Sequence, residues 1–183
     1  MKNHLHHIPN VLTIFRIVLV PLFIICGIQN RMVCALAIFV LAALTDTFDG
    51  IIARKYNYIS NLGKLLDPLA DKLLVGFALI LFIYLDVIAW WLATIIILRE
   101  IIMTLYRSYL KKNNIYLSAN IYGKIKTTIQ MTVIIGALLY EAITYQNNVV
   151  ALIIKILFYL TAFFSWLSFF IYITKRQENK DEL

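Results

Sequence analysis

The sequence predicts an all-α integral membrane protein with six transmembrane helices and both termini in the cytoplasm. Three observations carry that expectation. Of 183 residues, 62% are hydrophobic and 15% charged, a balance unlike that of an ordinary soluble domain. Apolar runs recur at lengths close to the ~20 residues that a helix needs to cross a bilayer. The basic residues gather in the polar breaks at one end of those runs. The whole chain, 1–183, therefore reads as one membrane domain with short polar tails at about 1–9 and 175–183.

The elements follow in order. Residues 1–9 form a polar lead in which nothing fixes His4, His6 and His7 in space, so a solvated tail is expected rather than a metal site. Helix 1 is expected over about Asn10–Ile28, after Pro9. Its apolar run is too long for a signal-peptide core and lacks a small-x-small cleavage site, so it is expected to stay in the membrane. A short turn near Gln29–Arg31 leads to helix 2, about Met32–Ala53, which ends in the polar turn Arg54-Lys55-Tyr56-Asn57. Ser60 or Asn61 could cap helix 3, about 62–85, and Asp86 marks a tight turn. Trp90 and Trp91 sit just beyond as interfacial anchors of helix 4, about 87–110. Lys111-Lys112-Asn113-Asn114 opens a polar connection to helix 5, about 119–144, and the turn Tyr145–Asn148 precedes helix 6, about 149–174, and a charged tail. Cys26 and Cys34 fall in apolar stretches without metal-ligand companions and are expected to be small reduced residues of the core or lipid face.

Six spans place both termini on one side. Lys2, Arg54, Lys55, Lys64, Lys111, Lys112, Lys124, Lys126, Lys175, Arg176 and Lys180 all fall on that side, with Arg31 and Lys155 near the other. Positive residues stay inside, so that side is cytoplasmic and the expected location is the cell's inner (plasma) membrane. The net charge of +7 then points to membrane lipids and anionic substrates, not nucleic acid. The closing Lys180-Asp181-Glu182-Leu183 spells a retrieval signal read from a lumen, but the charge bias places this end in the cytoplasm, so it is taken as an accident of a charged tail.

The chemistry is concentrated in residues 46–71, where Asp46, Asp49, Asp67 and Asp71 stand in an otherwise apolar chain. At about 100° per residue, Asp46, Asp49, Gly50 and Ala53 share one helix face, and Gly63, Asp67 and Asp71 share a face of the next. A short loop should make those helices antiparallel neighbours. Structural alternatives exist: Asp67 before Pro68 resembles a helix cap, and Asp46 or Asp49 could pair with Arg54 or Lys55. Capping does not account for four carboxylates on converging faces, and each costs on the order of 3 kcal/mol at the middle of a membrane. Divalent cations held by oxygen ligands, Mg²⁺ above all, would balance the charge and could be shared with a substrate phosphate.

The spacing Asp46-x-x-Asp49-Gly50-x-x-Ala53-Arg54, eight residues, Gly63-x-x-x-Asp67-x-x-x-Asp71 resembles the signature of the CDP-alcohol phosphatidyltransferase family at every fixed position. The resemblance implies a six-helix membrane enzyme with two divalent cations, Mg²⁺ or Mn²⁺, that displaces CMP from a CDP-linked lipid with an alcohol. Carried over residue by residue, it makes Asp46, Asp49 and Asp67 chiefly ligands and Asp71 both a ligand and the catalytic group facing the acceptor hydroxyl. Gly50, Ala53 and Gly63 would admit the nucleoside, and Arg54 would meet its phosphates. A homodimer is implied in the same way.

The acceptor must be read from other residues. Arg99 and Glu100 lie mid-way along helix 4 and point about 100° apart, so each should find a partner on another helix. Arg99, Arg107, Lys124 and Lys126 form a candidate pocket for an acceptor phosphate, since guanidinium and ammonium groups suit phosphate oxygens; the plainer alternative makes Arg107, Lys124 and Lys126 anchors at the membrane surface. Ile8–Arg16, Leu98–Ile101 and Gly123–Thr127 are similar to the branch of the family that uses CDP-diacylglycerol and glycerol 3-phosphate. The N-terminal segment is equally similar to CMP-forming cardiolipin synthases, whose acceptor is phosphatidylglycerol. A divalent-cation transporter is the alternative of another class, but Arg54 and the three small residues have no use in a bare ion site, and no internal repeat supports it.

Overall fold

The computed structural model describes residues 8–56, 63–113, 121–143 and 147–181; within these, the side chains of 8–11, 47–56, 63–68, 111, 121–122, 124 and 175–181 fall outside the description. Among the described residues six helices follow one another: α1 (Ile8–Ile28), α2 (Met32–Tyr56), α3 (Gly63–Tyr84), α4 (Trp90–Lys112), α5 (Ile121–Ala142) and α6 (Asn148–Asp181). The all-helical class and the number of elements match the expectation from sequence. His4, His6 and His7, and the candidate caps Ser60 and Asn61, lie outside the described residues.

Three boundaries differ from expectation, each for a local reason. α2 runs through Arg54 and Lys55 to Tyr56, because nothing in that stretch breaks a helix. α6 continues to Asp181, since Lys, Arg, Gln and Glu are good helix formers and no Gly or Pro intervenes. α4 starts at Trp90 because Asp86 adopts a left-handed φ of 57° in the preceding turn. α3 starts four residues before Asp67, which removes the helix-cap alternative for that aspartate.

The α1–α2 turn shows how the chain reverses in so few residues. Asn30 has φ 57°, a conformation that Asn tolerates better than other side chains. The Asn30 amide donates to the Gly27 carbonyl at 3.0 Å and the Arg31 amide to the Cys26 carbonyl at 2.9 Å, the paired bonds that close a helix with a left-handed cap.

The described chain divides into two compact units, Met1–Phe82 with Ala137–Gln146, and Ile83–Gly136 with Asn147–Leu183. In the first unit α1 packs on α2 through the fully buried Phe23 and Phe39, whose ring centroids lie 5.7 Å apart, between the small Ala35 and Ala42. A Cβ on Gly27 would fall 2.5 Å from the Leu81 side chain, so the missing side chain is what lets α1 approach α3. Small residues at such contacts let two helix backbones approach closely. In the second unit Ile96, Arg99, Met103 and Leu110 form the inner stripe of α4, and Phe158, Thr161, Ser165 and Tyr172 that of α6.

Large apolar side chains are exposed in both units, among them Val33, Leu105, Val149, Phe163 and Phe170, far more than an ordinary soluble surface carries. Among the described residues one helix, Asn148–Thr174, is long and apolar enough to cross a membrane by itself; Leu12–Ile28 and Met32–Asp46 are shorter apolar stretches. Charged side chains interrupt the others: Asp71 and Lys72 in α3, Arg99 and Glu100 in α4, Lys124 and Lys126 in α5.

Candidate active site

All four aspartates lie on helices, Asp46 and Asp49 in the last turns of α2, Asp67 and Asp71 in the first turns of α3. The helical phase assumed from spacing therefore holds for Gly50, Ala53 and Arg54 on α2 and for Gly63 on α3. Side chains are described for Asp46 and Asp71, both half-buried. Those of Asp49, Ala53, Arg54 and Asp67 fall outside the description.

Asp46 is held from behind. The Arg16 guanidinium on α1 pairs with its Oδ1 at 2.5 Å; Arg16 is fully buried, whereas the Asp46 side chain keeps 39% of its surface exposed. A fully buried guanidinium is costly unless it is paired, so this contact helps to set the rotation of α1 against α2 as well as the carboxylate. Arg16 was legible only as part of the N-terminal resemblance, with no role attached. Its signal was nevertheless present: Thr13 and Arg16, three apart, put two polar groups on one face of an apolar run, and both are fully buried.

The donor set suits a hard divalent cation, since Asp46 and Asp71 offer oxygen only, as Mg²⁺ and Mn²⁺ prefer. Arg16 takes one oxygen of Asp46, and the exposed part of the carboxylate is where a cation would bind. Among the described residues no group of three ligating side chains forms, two of the four aspartate side chains being outside them.

The second unit contains a buried polar cluster. Arg99 Nε donates to the Ser165 carbonyl of α6 at 2.9 Å, and its Nη1 lies 3.5 Å from Glu100 Oε1. Lys126 of α5 forms an ion pair with the same Glu100 oxygen. Arg99 and Lys126 are 4% and 3% exposed, which excludes the surface-anchor alternative for Lys126. Two cations share one anion, leaving the trio with a net positive charge. One turn beyond Lys126, the buried Gln130 has no hydrogen-bond partner for Nε2, and neither has the Ser165 hydroxyl. Both were missed from sequence, because a lone Gln or Ser in a membrane helix carries no spacing signal. Exposed Arg107 lies over the Tyr172 ring, 5.5 Å from its centroid, and a Cβ on Gly123 would meet its Nη2 at 3.7 Å. Arg107 thus sits where α4, α5 and α6 meet. The Lys124 side chain is outside the description.

An all-helical chain with many exposed apolar side chains and aspartates at helical spacing on α2 and α3 is of the kind found among membrane enzymes. The family model for CDP-alcohol phosphatidyltransferase matches residues 6–173, and the chain belongs to that family. Among its curated relatives is the CDP-diacylglycerol--glycerol-3-phosphate 3-phosphatidyltransferase of Wigglesworthia glossinidia brevipalpis, 40% identical over 90% of this chain and 93% of the relative. The protein of the same name from Bacillus subtilis is 39% identical over 74% of this chain and 78% of its own. That from Yersinia enterocolitica is 40% identical over 72% and 76%.

Proposed function

We propose that this chain transfers the phosphatidyl group of CDP-diacylglycerol to glycerol 3-phosphate, giving phosphatidylglycerophosphate and CMP. The observation that carries the proposal is the likeness to a protein of that name over nine-tenths of the chain, together with an aspartate motif intact at every fixed position.

In the reaction the acceptor hydroxyl oxygen attacks the lipid-bearing phosphorus, the bond to the bridging oxygen breaks, and CMP leaves with the electron pair. Asp46, Asp49, Asp67 and Asp71 would hold two divalent cations, Mg²⁺ or Mn²⁺, which when bound neutralise the pyrophosphate and the charge developing on CMP. Asp71 orients the acceptor hydroxyl and accepts its proton; a carboxylate kept ionised is a modest base, so positioning is the larger share of its work. Gly50, Ala53 and Gly63 leave room for the nucleoside, and Arg54 meets its phosphates. Arg107 and Lys124, with the net charge of the Arg99–Glu100–Lys126 trio, receive the acceptor phosphate. Gln130 and Ser165 supply neutral hydrogen bonds to its hydroxyls.

The proposed setting is the inner membrane, crossed by all six helices, with both termini and the aspartate-bearing ends facing the cytoplasm. There the water-soluble acceptor is available and CMP is released. The protein is proposed to act as a homodimer.

Purified protein given CDP-diacylglycerol and Mg²⁺ should release CMP when glycerol 3-phosphate is added. Release with phosphatidylglycerol alone would overturn the choice of acceptor in favour of cardiolipin synthesis. Metal flux into proteoliposomes without CMP release would point to a transporter instead. Lys126→Ala should raise the KM for glycerol 3-phosphate about tenfold, the worth of one charge-assisted contact of ~1.4 kcal/mol, and leave that for CDP-diacylglycerol within about twofold. An equal rise in both constants would remove Lys126 from the acceptor site.

A further inference from the structure

The hairpin end of α1 and α2 holds a feature that the transfer reaction does not use. Cys26 lies three residues from the start of the turn and Cys34 is the third residue of α2. Their Sγ atoms are 3.0 Å apart, although both cysteines are free thiols. Cys26 is half-buried and Cys34 exposed. The neighbouring Gln29, Asn30 and Arg31 are exposed as well, so polar side chains surround the pair. Cys34 also lines an open cavity of about 660 Å³ together with Asn30, Arg31, Ala37, Glu141 and Ile143. A small polar reagent therefore has a route to one sulfur, and Arg31 favours an anionic one.

We propose that Cys26 and Cys34 are an oxidation site that closes to an intramolecular disulfide, tying α1 to α2 at the end of the hairpin away from Asp46. A shift of about 1 Å brings the sulfurs to bonding distance, which side-chain rotation can supply. Twelve residues of helix, or about 18 Å, separate Cys34 from Asp46, so closure leaves the aspartates in place.

The chemistry is thiol–disulfide exchange with a low-molecular-weight disulfide as oxidant. Cys34, the accessible thiol, loses its proton and attacks one sulfur of the oxidant, releasing the other as a thiolate that takes up a proton. Cys26 then gives up its proton and displaces the second half from the mixed disulfide. Two protein thiols are oxidised and one disulfide is reduced to two thiols. The first step falls to Cys34 because Cys26 is half-buried, and the second to Cys26 because it already touches the sulfur under attack.

The test uses the full chain in detergent, treated with oxidised glutathione and then alkylated and weighed. Closure is expected to give a product lighter by two hydrogens, carrying no alkyl group and no glutathione. A peptide joining Cys26 to Cys34 should appear in the digest and vanish on reduction. Cys26→Ser should stop at a single glutathione adduct on Cys34, whereas Cys34→Ser should react far more slowly, because its one thiol is half-buried. The closed form should melt several degrees higher than the reduced form, with CMP release changed less than twofold. Two alkylated thiols, or two glutathione adducts, on the folded wild-type chain would overturn the proposal. The mass readout is independent of which lipid reaction the protein performs, so a failed transferase assay leaves this test intact.

Discussion

Asp71→Asn is expected to lower CMP release by about 10³-fold while CDP-diacylglycerol still binds. General-base and orienting groups contribute 10²–10⁴-fold, and in the proposed mechanism the substitution also removes a ligand charge, which places the effect toward the middle of that range. Asparagine keeps the size and one oxygen of the side chain, and Asp71 is half-buried in the first turns of α3, so folding should change little. The informative comparison is between turnover and binding of the nucleotide lipid, followed by thermal shift with CDP-diacylglycerol. Undiminished turnover removes Asp71 from the mechanism. Loss of lipid binding in step with turnover makes it a substrate ligand instead of the group facing the acceptor.

Arg16→Met should produce the second-largest effect, and by a different route. Removing one partner of a fully buried ion pair costs about 3–5 kcal/mol. Asp46 is 39% exposed, however, so water stabilises the carboxylate left behind, and a loss nearer ~2 kcal/mol is expected, the worth of a charged hydrogen bond. The functional loss should be greater than the stability loss implies. A residue that orients a metal ligand typically matters 10–100-fold in metal affinity, and without Arg16 the Asp46 carboxylate loses the guanidinium that holds it from behind. Mn²⁺ titration followed by electron paramagnetic resonance should show weaker binding by about that factor, before any activity is measured. Arg16→Lys should fall between, with the charge restored but not the planar fork. Unchanged or tighter Mn²⁺ binding in Arg16→Met would mean that Arg16 only neutralises Asp46 and does not position it.

The helical placement of the aspartate motif was visible in the sequence because helices convert spacing into geometry. Asp46, Asp49, Gly50 and Ala53 share a face by virtue of being three or four apart, and α2 and α3 do extend across both halves of the motif. The residues proposed for the acceptor side were less legible. Lys126 looks like any lysine near a membrane surface until its pairing with Glu100 is seen. Arg107 is placed by Tyr172, sixty-five residues later in the chain. Gln130 and Ser165 carry no local signal, and their significance comes from burial without a partner.

The chain by itself settled the helical class, the number and order of the helices, and which residues of each helix share a face, because all of these depend on hydrogen bonding and side-chain periodicity within a few residues. Only the tertiary structure decided that Arg16 grips Asp46, that Glu100 binds Lys126 while Arg99 reaches α6, and that two cysteines eight residues apart touch across a turn. Those contacts depend on how each helix is rotated and shifted against its neighbour, which close packing around residues such as Gly27, Ala35 and Phe39 fixes and local periodicity does not.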